Sequence, residues 1–327
     1  MKRSGSKLVL LIAFVLIFGF TGLAAGQYPT KPITLVDPWP PGGGGDIAGR
    51  MVASVAAEYL GQPLIMKYVT GAAGIRGAEY VSRAKPDGYT IGIMGMGAMV
   101  NQNVAYPERA AFGKDGFIFI AQMVASPCVL VANPKAPFKT LPEMIKYVKA
   151  NPGKIVYSSS GRFGYVHTAF ARLIQAEGLQ GKMVHLPTKG GAGAVKECLG
   201  GHTMVTGGTP GVTGPHIRGG TLIPMAVADT KRWPTLPDVP TIKEVLGKDI
   251  SPTTLWLSPA VPKGTPADRV QFLRDGFKKI LHSKSVVKLG IRTGDRIMYL
   301  SGEDMQKKWE GEWKDAKNLI PILKEGK

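Results

Sequence analysis

Two short segments of the chain combine the residue types that bind small ligands through the backbone. The first, residues 38–46, is rich in proline and then carries four consecutive glycines before Asp46. Without Cβ atoms in the way, a ligand can approach the glycine backbone closely. The first N–H groups of the helix expected to follow have no partner within that helix. Such a helix start favours an anion.

The second segment, residues 158–164, offers different groups for the same purpose. Ser159 and Ser160 supply hydroxyls, and Arg162 supplies a guanidinium that can form a bidentate pair with a carboxylate. The two segments together predict a site for a small carboxylate. The alternative for this segment is that the serines cap a helix and that Arg162 is solvated.

The glycine run does not fit a nucleotide site. A P-loop ends in Lys followed by Ser or Thr, whereas this loop ends in Asp46, which would repel a phosphate. The dinucleotide-binding fingerprint also spaces its glycines apart. We expect Asp46 to be the N-cap of the following helix. The loop then suits a small carboxylate or a neutral polar group, or it is a turn without a ligand.

No arrangement of side chains in the sequence predicts catalysis or a cofactor. Ser160 precedes His167 by seven residues, but the residues around it do not form the G-x-S-x-G turn of hydrolases. The other histidines show neither i, i+4 pairing nor the cysteine partners of a zinc site. They are His185, His202, His216 and His282. We therefore expect a binding protein with no metal and no cofactor.

The elements around the two segments predict where they lie. Apolar strands, glycine-rich loops and amphipathic helices alternate, which is typical of a mostly parallel sheet covered by helices. Ligands of such sheets bind beyond the carboxyl ends of the strands, where these loops lie. The helix after the first loop is expected to end at Gly61. Its buried face is expected to carry Ile47, Met51, Val52, Val55 and Tyr59.

The N-terminal residues have the pattern of a secretory signal. Three cations precede the apolar run 8–20, and small residues follow it. The run is shorter than the roughly 20 residues that span a membrane. We expect residues 1–26 to be a signal peptide and the mature protein to be periplasmic.

The charge and the cysteine content leave several classes of protein open. The formal net charge is +18, and removing the signal peptide lowers it to +15. The basic residues are scattered, so we expect weak attraction of anions and no nucleic-acid partner. Cys128 and Cys198 can pair or can be two small buried residues.

The length of the mature chain predicts two lobes. About 300 residues are more than one hydrophobic core usually organises. The β-prone segment that begins at residue 117 is interrupted near residues 125–127, and we place a crossing between lobes at 124–127. The expected lobe 1 consists of residues 27–125 and 252–327, and the expected lobe 2 of residues 126–251.

Several motifs, in order along the mature chain, resemble one family. They include "PITLVDPWPPGGGGD", "NPGKIVYSSSGRFGYVHTAFARL" and "HLPTKGGAGAVKECLGG". The chain resembles the Bug-type solute-binding proteins of tripartite tricarboxylate transporters. The resemblance implies an α/β fold of two lobes, of the type II-like Venus-flytrap kind. Each lobe is expected to be a mostly parallel sheet flanked by helices.

The resemblance also implies a function. Such a protein is a periplasmic receptor, here expected to be a monomer, that closes on a small organic carboxylate and presents it to membrane permease subunits. In the family the ligand contacts backbone N–H groups and hydroxyls of the loops that match residues 41–46 and 158–164. The residues expected to bind ligand are Trp39, Pro41, Gly42, Gly43, Gly44, Gly45, Asp46, Ser159, Ser160, Gly161, Arg162, Phe163, Gly164, Tyr165, Gly208 and Thr209.

Two departures from the family pattern bear on the ligand. Asp37 stands where an aliphatic residue is usual, and Gly208 stands where an Asp that resembles an amine-recognising group is common. Loss of that acid argues against an amino acid. Together with Trp39, Phe163 and Tyr165 it favours a carboxylate with an apolar or aromatic body. The alternative functions are a ligand sensor for a membrane signalling partner and an exported enzyme on the same scaffold.

Overall fold

The computed structural model describes residues 28–95, 97–110, 112–250 and 253–325. The predicted signal peptide, residues 1–26, lies outside these ranges. The strands of the described residues are β1 (Ile33–Asp37), β2 (Leu64–Tyr68), β3 (Thr90–Gly95), β4 (Phe117–Phe119), β5 (Ala121–Pro127), β6 (Val129–Ala132), β7 (Ile155–Ser159), β8 (Met183–Pro187), β9 (Val205–Gly208), β10 (Ile223–Val227), β11 (Thr254–Pro262) and β12 (Ile297–Ser301). Their α-helices are α1 (Gly44–Ala53), α2 (Ala56–Leu60), α3 (Ile75–Ser82), α4 (Ala98–Ala105), α5 (Leu141–Ala150), α6 (Tyr165–Glu177), α7 (Gly191–Leu199), α8 (Pro210–Arg218), α9 (Ile242–Leu246), α10 (Ala267–His282), α11 (Lys284–Thr293) and α12 (Gly302–Glu325).

Seven of these strands form the first sheet, in the order β12-β5-β11-β3-β1-β2, with β4 also paired to β11. β1 pairs in parallel with β2 and β3. β11 runs antiparallel to β3, β4 and β5. Both faces of β1 and β3 are largely buried, which explains why their sequences are apolar without a strict alternation.

The other five strands form the second sheet, in the order β10-β6-β9-β7-β8. β7 is parallel to β8 and β9, and β6 is antiparallel to β9 and β10. The carboxyl end of β7 leads into α6, and that of β9 leads into α8. The strand–loop–helix arrangement of β1 and α1 is therefore repeated in the second sheet.

The α/β fold with two helix-flanked sheets is the predicted one, but each sheet is mixed and not mostly parallel. Parallel neighbours need a crossover connection on their own sheet. β5 and β6 instead are consecutive strands of different sheets, separated only by Cys128. Likewise, β10 lies in the second sheet, and the next strand along the chain, β11, lies in the first sheet. Strands that arrive from the other sheet pair antiparallel with their neighbours.

The helix predicted between the glycine loop and Gly61 is divided in two. α1 ends at Ala53, and α2 begins at Ala56 and ends before Gly61, which has a φ of +69°. The predicted face is partly confirmed, because Met51 and Val52 are buried. The other predicted members of that face, Ile47, Val55 and Tyr59, are half-buried.

A buried carboxylate connects elements of the two sheets. Asp295 lies between α11 and β12, and its Oδ1 accepts hydrogen bonds from Ser126 Oγ of β5 at 2.8 Å and from Gly211 N–H of α8 at 3.2 Å. Its Oδ2 accepts from Thr209 Oγ1 at 3.2 Å. The start of α8 is thereby held against the first sheet.

Most of the buried apolar side chains form one continuous core. Trp256 of β11 and Trp309 of α12 are fully buried in it and pack edge to face at 6.0 Å. α12 also packs against α4 and α6, so this helix contacts both halves of the molecule. Among the described residues, no helix combines the length and the apolar composition that a bilayer crossing requires.

Candidate ligand-binding site

The first predicted loop leads from β1 into α1. Gly43, and not Asp46, is the N-cap of α1. Asp46 is the third helical residue, and its Oδ2 accepts the N–H of Gly42 at 2.9 Å. Its Oδ1 accepts hydrogen bonds from Arg50 Nε at 2.7 Å and from the Tyr68 hydroxyl at 2.5 Å. The N-cap prediction for Asp46 is wrong because these donors hold its carboxylate beside the loop.

The carboxylate of Asp46 carries a charge that its own neighbours balance. Burial alone would raise the pKa of Asp46, but the hydrogen bonds from Tyr68, Gly42 and Arg50 outweigh burial and lower the pKa. Arg50 also forms an ion pair with it at 2.7 Å. Asp46 therefore shapes the loop as an ionised group.

The second predicted loop leads from β7 into α6, whose N-cap is Gly164. His167 is the third residue of α6, and its Nδ1 accepts the N–H of Phe163 at 3.0 Å. Asn101 Nδ2 donates to the carbonyl of Phe163 at 3.0 Å. These two bonds hold Phe163 in the left-handed region at a φ of +62°, which bulky residues rarely adopt.

The serines of the second loop turn in different directions. Ser158 Oγ donates to the carbonyl of Ala194 at 2.8 Å and is fully buried. Ser159 Oγ lies 2.7 Å from Nε2 of His185. Ser160 lines a pocket where the two loops meet. Ser160 is therefore the serine that can reach a ligand there.

The pocket between the loops, called the inner pocket, has a volume of about 40 Å³. Predicted and unpredicted residues share its wall. The predicted ones are Trp39, Gly43, Gly44, Gly45, Ser160, Gly164 and Tyr165. Those that the sequence analysis missed are Ala73, Ala98, Gly191, Val212, Leu255 and Leu257.

Five helices begin at the inner pocket, which is its main chemical feature. The first-turn N–H groups of a helix have no acceptor within it, and the helix dipole adds partial positive charge at that end. At α8 one of these groups, the N–H of Gly211, is already bound by Asp295. The other four helix starts leave the pocket suited to an anion. The N-caps are Gly43, Gly97, Gly164, Gly190 and Thr209, and none of these described residues caps its helix through a side-chain hydrogen bond.

A larger cavity of about 590 Å³, called the outer cleft, adjoins the inner pocket. Trp39 and Ala73 line both cavities and mark the boundary. Arg76, Arg162 and Lys189 line the outer cleft, and its described lining residues include no acid. An anionic or electron-rich group in the outer cleft is therefore favoured by the local charge.

A family model described as "Tripartite tricarboxylate transporter family receptor" matches residues 48–324. The chain belongs to this receptor family. The UPF0065 protein in the gbd 5′ region of Cupriavidus necator is 35% identical over 259 residues, which cover 79% of this chain and 76% of the relative. Protein BugT of Bordetella pertussis is 29% identical over 266 residues, which cover 81% of each chain.

The solved structure of the periplasmic binding protein BugD is similar in fold. It is 27% identical to the receptor and has a TM-score of 0.83, covering 90% of this chain and 98% of that chain. The family predicted from the ordered motifs is thereby confirmed, and with it the general function of a solute receptor.

Some residues predicted to bind the receptor's ligand line neither the inner pocket nor the outer cleft. The ring of Phe163 is buried and packs edge to face on Tyr106 at 5.9 Å. Gly208 has no room for a side chain, because a Cβ there would lie 2.8 Å from Thr213 Cγ2. Gly161 and Arg162 line the outer cleft. The predicted residues outside both cavities are Pro41, Gly42, Asp46, Ser159, Phe163, Gly208 and Thr209.

Asp37 lies beneath the inner pocket of the receptor. It is fully buried, and a Cβ on Gly45 would lie 2.6 Å from its Oδ1. Its Oδ1 accepts the N–H of Trp39 at 3.0 Å, whereas its Oδ2 has no hydrogen-bond partner among the described residues. Burial raises the pKa of Asp37 to about 7 despite the Trp39 hydrogen bond, and the charge of Asp46 adds to the rise.

Trp39 is held at both ends. Its backbone N–H donates to Oδ1 of Asp37, and its indole Nε1 donates to the carbonyl of Ala73 at 3.1 Å. A ring fixed in this way presents the same face to the outer cleft each time a ligand enters. Trp39 is thus positioned by Asp37 and Ala73.

The receptor's other reactive side chains are occupied or buried. His167 accepts a hydrogen bond from Phe163 through Nδ1, so this nitrogen is not a base for Ser160. Cys128 and Cys198 are free, buried thiols. In the part of the chain that the structure describes, no three His, Cys, Asp or Glu side chains come together as metal ligands.

Proposed function

We propose that this receptor captures a small organic carboxylate in the inner pocket and delivers it to the membrane permease subunits of a tripartite tricarboxylate transporter. The meeting of four helix starts around one pocket carries the proposal, because the first N–H groups of a helix lack the acceptors of its interior and favour an anion. Membership in the receptor family supports the delivery step. The receptor returns its ligand chemically unchanged, and analysis of the recovered ligand by NMR tests this.

The inner pocket holds the carboxylate end of the ligand. Its volume of about 40 Å³ is far smaller than the volume of about 590 Å³ of the outer cleft, so it suits one end of a ligand and not the whole molecule. The N–H groups of Gly44, Gly45 and Tyr165 and the hydroxyl of Ser160 bind the carboxylate oxygens. The remainder of the ligand extends past Trp39 into the outer cleft.

The body of the ligand is apolar or aromatic. Val212, Leu255 and Leu257 give the inner pocket an apolar wall, and the indole of Trp39 stands where the ligand leaves it. An α-ammonium group would meet Arg76 and other cations in the outer cleft, and the described lining residues of both cavities include no acid to bind it. Amino acids are therefore disfavoured.

The ligand lies between two lobes of a monomeric periplasmic protein. We assign residues 27–125 and 252–327 to one lobe and residues 126–251 to the other, because β5 and β6 belong to different sheets on the two sides of Cys128. Residues 1–26 direct export. Scattering profiles that are identical with and without a saturating ligand would contradict closure of the lobes.

A thermal-unfolding screen of the purified receptor tests the ligand class. The candidates are mono-, di- and tricarboxylates, aromatic acids and amino acids. A ligand at about 100 times its dissociation constant is expected to stabilise the folded state by roughly 2.7 kcal/mol. No stabilisation by any acid would overturn the proposal. Tighter binding of aspartate or glutamate than of aromatic and aliphatic carboxylates would overturn the proposal that the ligand has an apolar or aromatic body.

The substitution Gly44→Ala tests the position of the site. Its methyl would lie 3.4 Å from Leu255 Cδ2 and 3.5 Å from Thr209 Cγ2, which an intact fold accommodates, but it occupies space in the inner pocket. We expect the affinity for a carboxylate found in the screen to fall about tenfold or more, a loss of about 1.4 kcal/mol. The matched control is Gly113→Ala, whose methyl meets no atom within 4 Å. Unchanged affinity in Gly44→Ala would place the ligand elsewhere.

A further inference from the structure

A stack of four rings lies behind the second loop, on α6, β7 and β8. Tyr157 stacks on Phe170 at 4.5 Å and on His185 at 4.8 Å between ring centroids. His185 stacks in turn on His167 at 4.1 Å, with 21° between the ring planes. Nearly parallel imidazoles at this distance do not point their nitrogens at a common metal ion, so the stack is not a two-histidine metal site.

The edges of these rings border a separate cavity of about 190 Å³, called the ring-stack cavity. Tyr157, His167 and His185 line it together with Arg162. Arg162 also lines the outer cleft, whereas the three ring residues line neither the inner pocket nor the outer cleft. The ring-stack cavity is therefore distinct from the site proposed for the transported ligand.

Three side chains of the ring-stack cavity present hydrogen-bond donors that lack acceptors. Because Nδ1 of His167 accepts the N–H of Phe163, its proton is on Nε2. In the part of the chain described by the structure, neither this Nε2, nor the Tyr157 hydroxyl, nor the Arg162 guanidinium has a hydrogen-bond partner. Ser159 Oγ lies 2.7 Å from Nε2 of His185 and also donates to the carbonyl of Gly161 at 3.1 Å, so Nε2 of His185 donates to Ser159 when Ser159 keeps that bond.

The charge of the ring-stack cavity is positive. Burial, followed by His185 and Arg162, lowers the pKa of His167 to about 3, and burial with Arg162 lowers that of His185 to about 4. Both imidazoles are thus neutral at neutral pH, His167 is a donor through Nε2, and Arg162 supplies the formal charge. The described lining residues include no acid to neutralise it. One guanidinium and several N–H and O–H donors around a small volume match an oxyanion.

We propose that the ring-stack cavity is a second binding site, for a small oxyanion that Arg162, His167 and Tyr157 hold by hydrogen bonds. Carboxylate, phosphate and sulfate share the chemistry that these donors recognise. The volume excludes ligands of the size that the outer cleft admits. The site uses none of the N–H groups of the inner pocket. A negative result for this second site would therefore leave the proposed transport function unaffected.

The test is an NMR titration of the histidine rings with inorganic phosphate, sulfate and acetate as separate probes. Ionic strength is held constant with chloride, because a chain of this positive charge attracts anions non-specifically. We expect saturable shifts of the His167 and His185 signals with at least one probe. The signals of His202, His216 and His282, which lie outside the ring-stack cavity, are expected to stay in place. The most effective probe names the class of oxyanion.

Two variants assign the binding to the ring-stack cavity. Tyr157→Phe keeps the ring in the stack and removes a donor, and we expect the effective probe to bind at least threefold more weakly. The matched control, Tyr147→Phe, removes a hydroxyl from a half-buried tyrosine of α5 outside the cavity and is expected to leave binding unchanged. His185→Phe keeps a ring in the stack and removes the polar nitrogens of His185, and its effect on binding is monitored through the His167 signal.

The proposal is overturned by either of two results. One is the absence of saturable His167 and His185 shifts with all three probes. The other is a shift that persists with the same dissociation constant in Tyr157→Phe, because the oxyanion would then bind elsewhere. If His185→Phe does not fold, as judged by thermal unfolding, the Tyr157→Phe and Tyr147→Phe pair still decides the question.

Discussion

Asp46 and His167 occupy the same position in the two loops of the inner pocket. Each is the third residue of its helix, and each accepts the backbone N–H of the residue four positions earlier, Gly42 or Phe163. In one loop the acceptor is an ionised carboxylate, and in the other it is a neutral imidazole. One backbone arrangement is therefore stabilised by two chemically different side chains.

The surroundings of the two loops differ in charge. The first loop lies over the carboxyl group of Asp37 and ends in Asp46, whereas the second contains Arg162 and lies beside the neutral His167 and His185. Both supply helix starts that attract an anion, but the buried carboxyl of Asp37 opposes one when it is ionised. The helix N-termini therefore provide the anion site in both halves. The side chains around the two loops change the local charge of that site in opposite directions.

The largest expected effect of this difference is on the free energy of unfolding, which we expect to depend on pH because of Asp37. Its folded-state pKa of about 7 exceeds the usual unfolded value of about 3.9. The folded state therefore holds the proton more tightly, and stability is lost as pH rises from about 4 to about 7, by up to about 4 kcal/mol. Asp37→Asn cannot ionise and is expected to escape this loss. Urea unfolding of both proteins at several pH values measures the difference.

A stability difference between Asp37→Asn and the parent that stays constant from pH 4 to pH 8 would contradict the raised pKa. Glu312→Gln is a suitable control, since Glu312 is another carboxyl with a raised pKa that is hydrogen-bonded to Trp256 away from the two loops. Its substitution is expected to leave the contribution of Asp37 in place.

A smaller effect is expected from Gly45→Ala, which presses a methyl onto Asp37. The added Cβ would lie 2.6 Å from Asp37 Oδ1, and the buried carboxyl has little room to move, so a loss of about 1–3 kcal/mol is expected. Gly43→Ala in the same loop meets its nearest atom at 3.6 Å and is expected to change stability by less than about 0.5 kcal/mol. Chemical denaturation measures both.

A double-mutant cycle tests whether contact with Asp37 causes the loss of stability in Gly45→Ala. If the carboxyl of Asp37 causes the loss, Gly45→Ala should cost little in the background of Asp37→Ala. An equal cost in both backgrounds would show that the helix start itself rejects the methyl.

The smallest loss of stability is expected in the second loop, where a substitution removes one hydrogen bond. His167→Phe keeps a ring in the stack but leaves the N–H of Phe163 without its acceptor, at an expected cost of about 1–2 kcal/mol. His167→Asn places an oxygen near the position of Nδ1 and loses the ring. Hydrogen exchange at the Phe163 amide separates the two effects, since it should accelerate in His167→Phe and stay slow in His167→Asn. Fast exchange in both variants would mean that the ring, and not the acceptor, protects the loop.

Local rules are enough to find the two loops. Consecutive glycines after prolines, and serines with Arg162 after a β-prone segment, indicate the two loops, and the resemblance to the receptor family implied seven residues of the inner-pocket wall. Ala98 and Gly191 escape these rules because neither carries a functional group. Their signal is a glycine directly before a helix, Gly97 and Gly190, which is the same signal that identifies Gly164.

Side-chain directions are less predictable than loop positions. The sequence predicts that Asp46 caps its helix, but Tyr68 of β2 and Arg50, four residues along the same helix, hold its carboxylate together with a loop N–H. The sequence also predicts Phe163 at the ligand, and its ring is buried against Tyr106 instead. Each outcome depends on a partner from outside the loop, and short-range sequence patterns do not contain that information.

The sequence by itself determined the receptor family, the α/β class and the places where the backbone opens to a ligand. These depend on residue types along short stretches: glycine frees the backbone, and proline ends strands. The tertiary structure alone decided that five helix starts meet, that Asp37 is buried with an unpaired oxygen and that His167 and His185 stack beside Arg162. Burial and charge–charge proximity arise between residues distant in the chain, so they exist only once the strands and helices have packed.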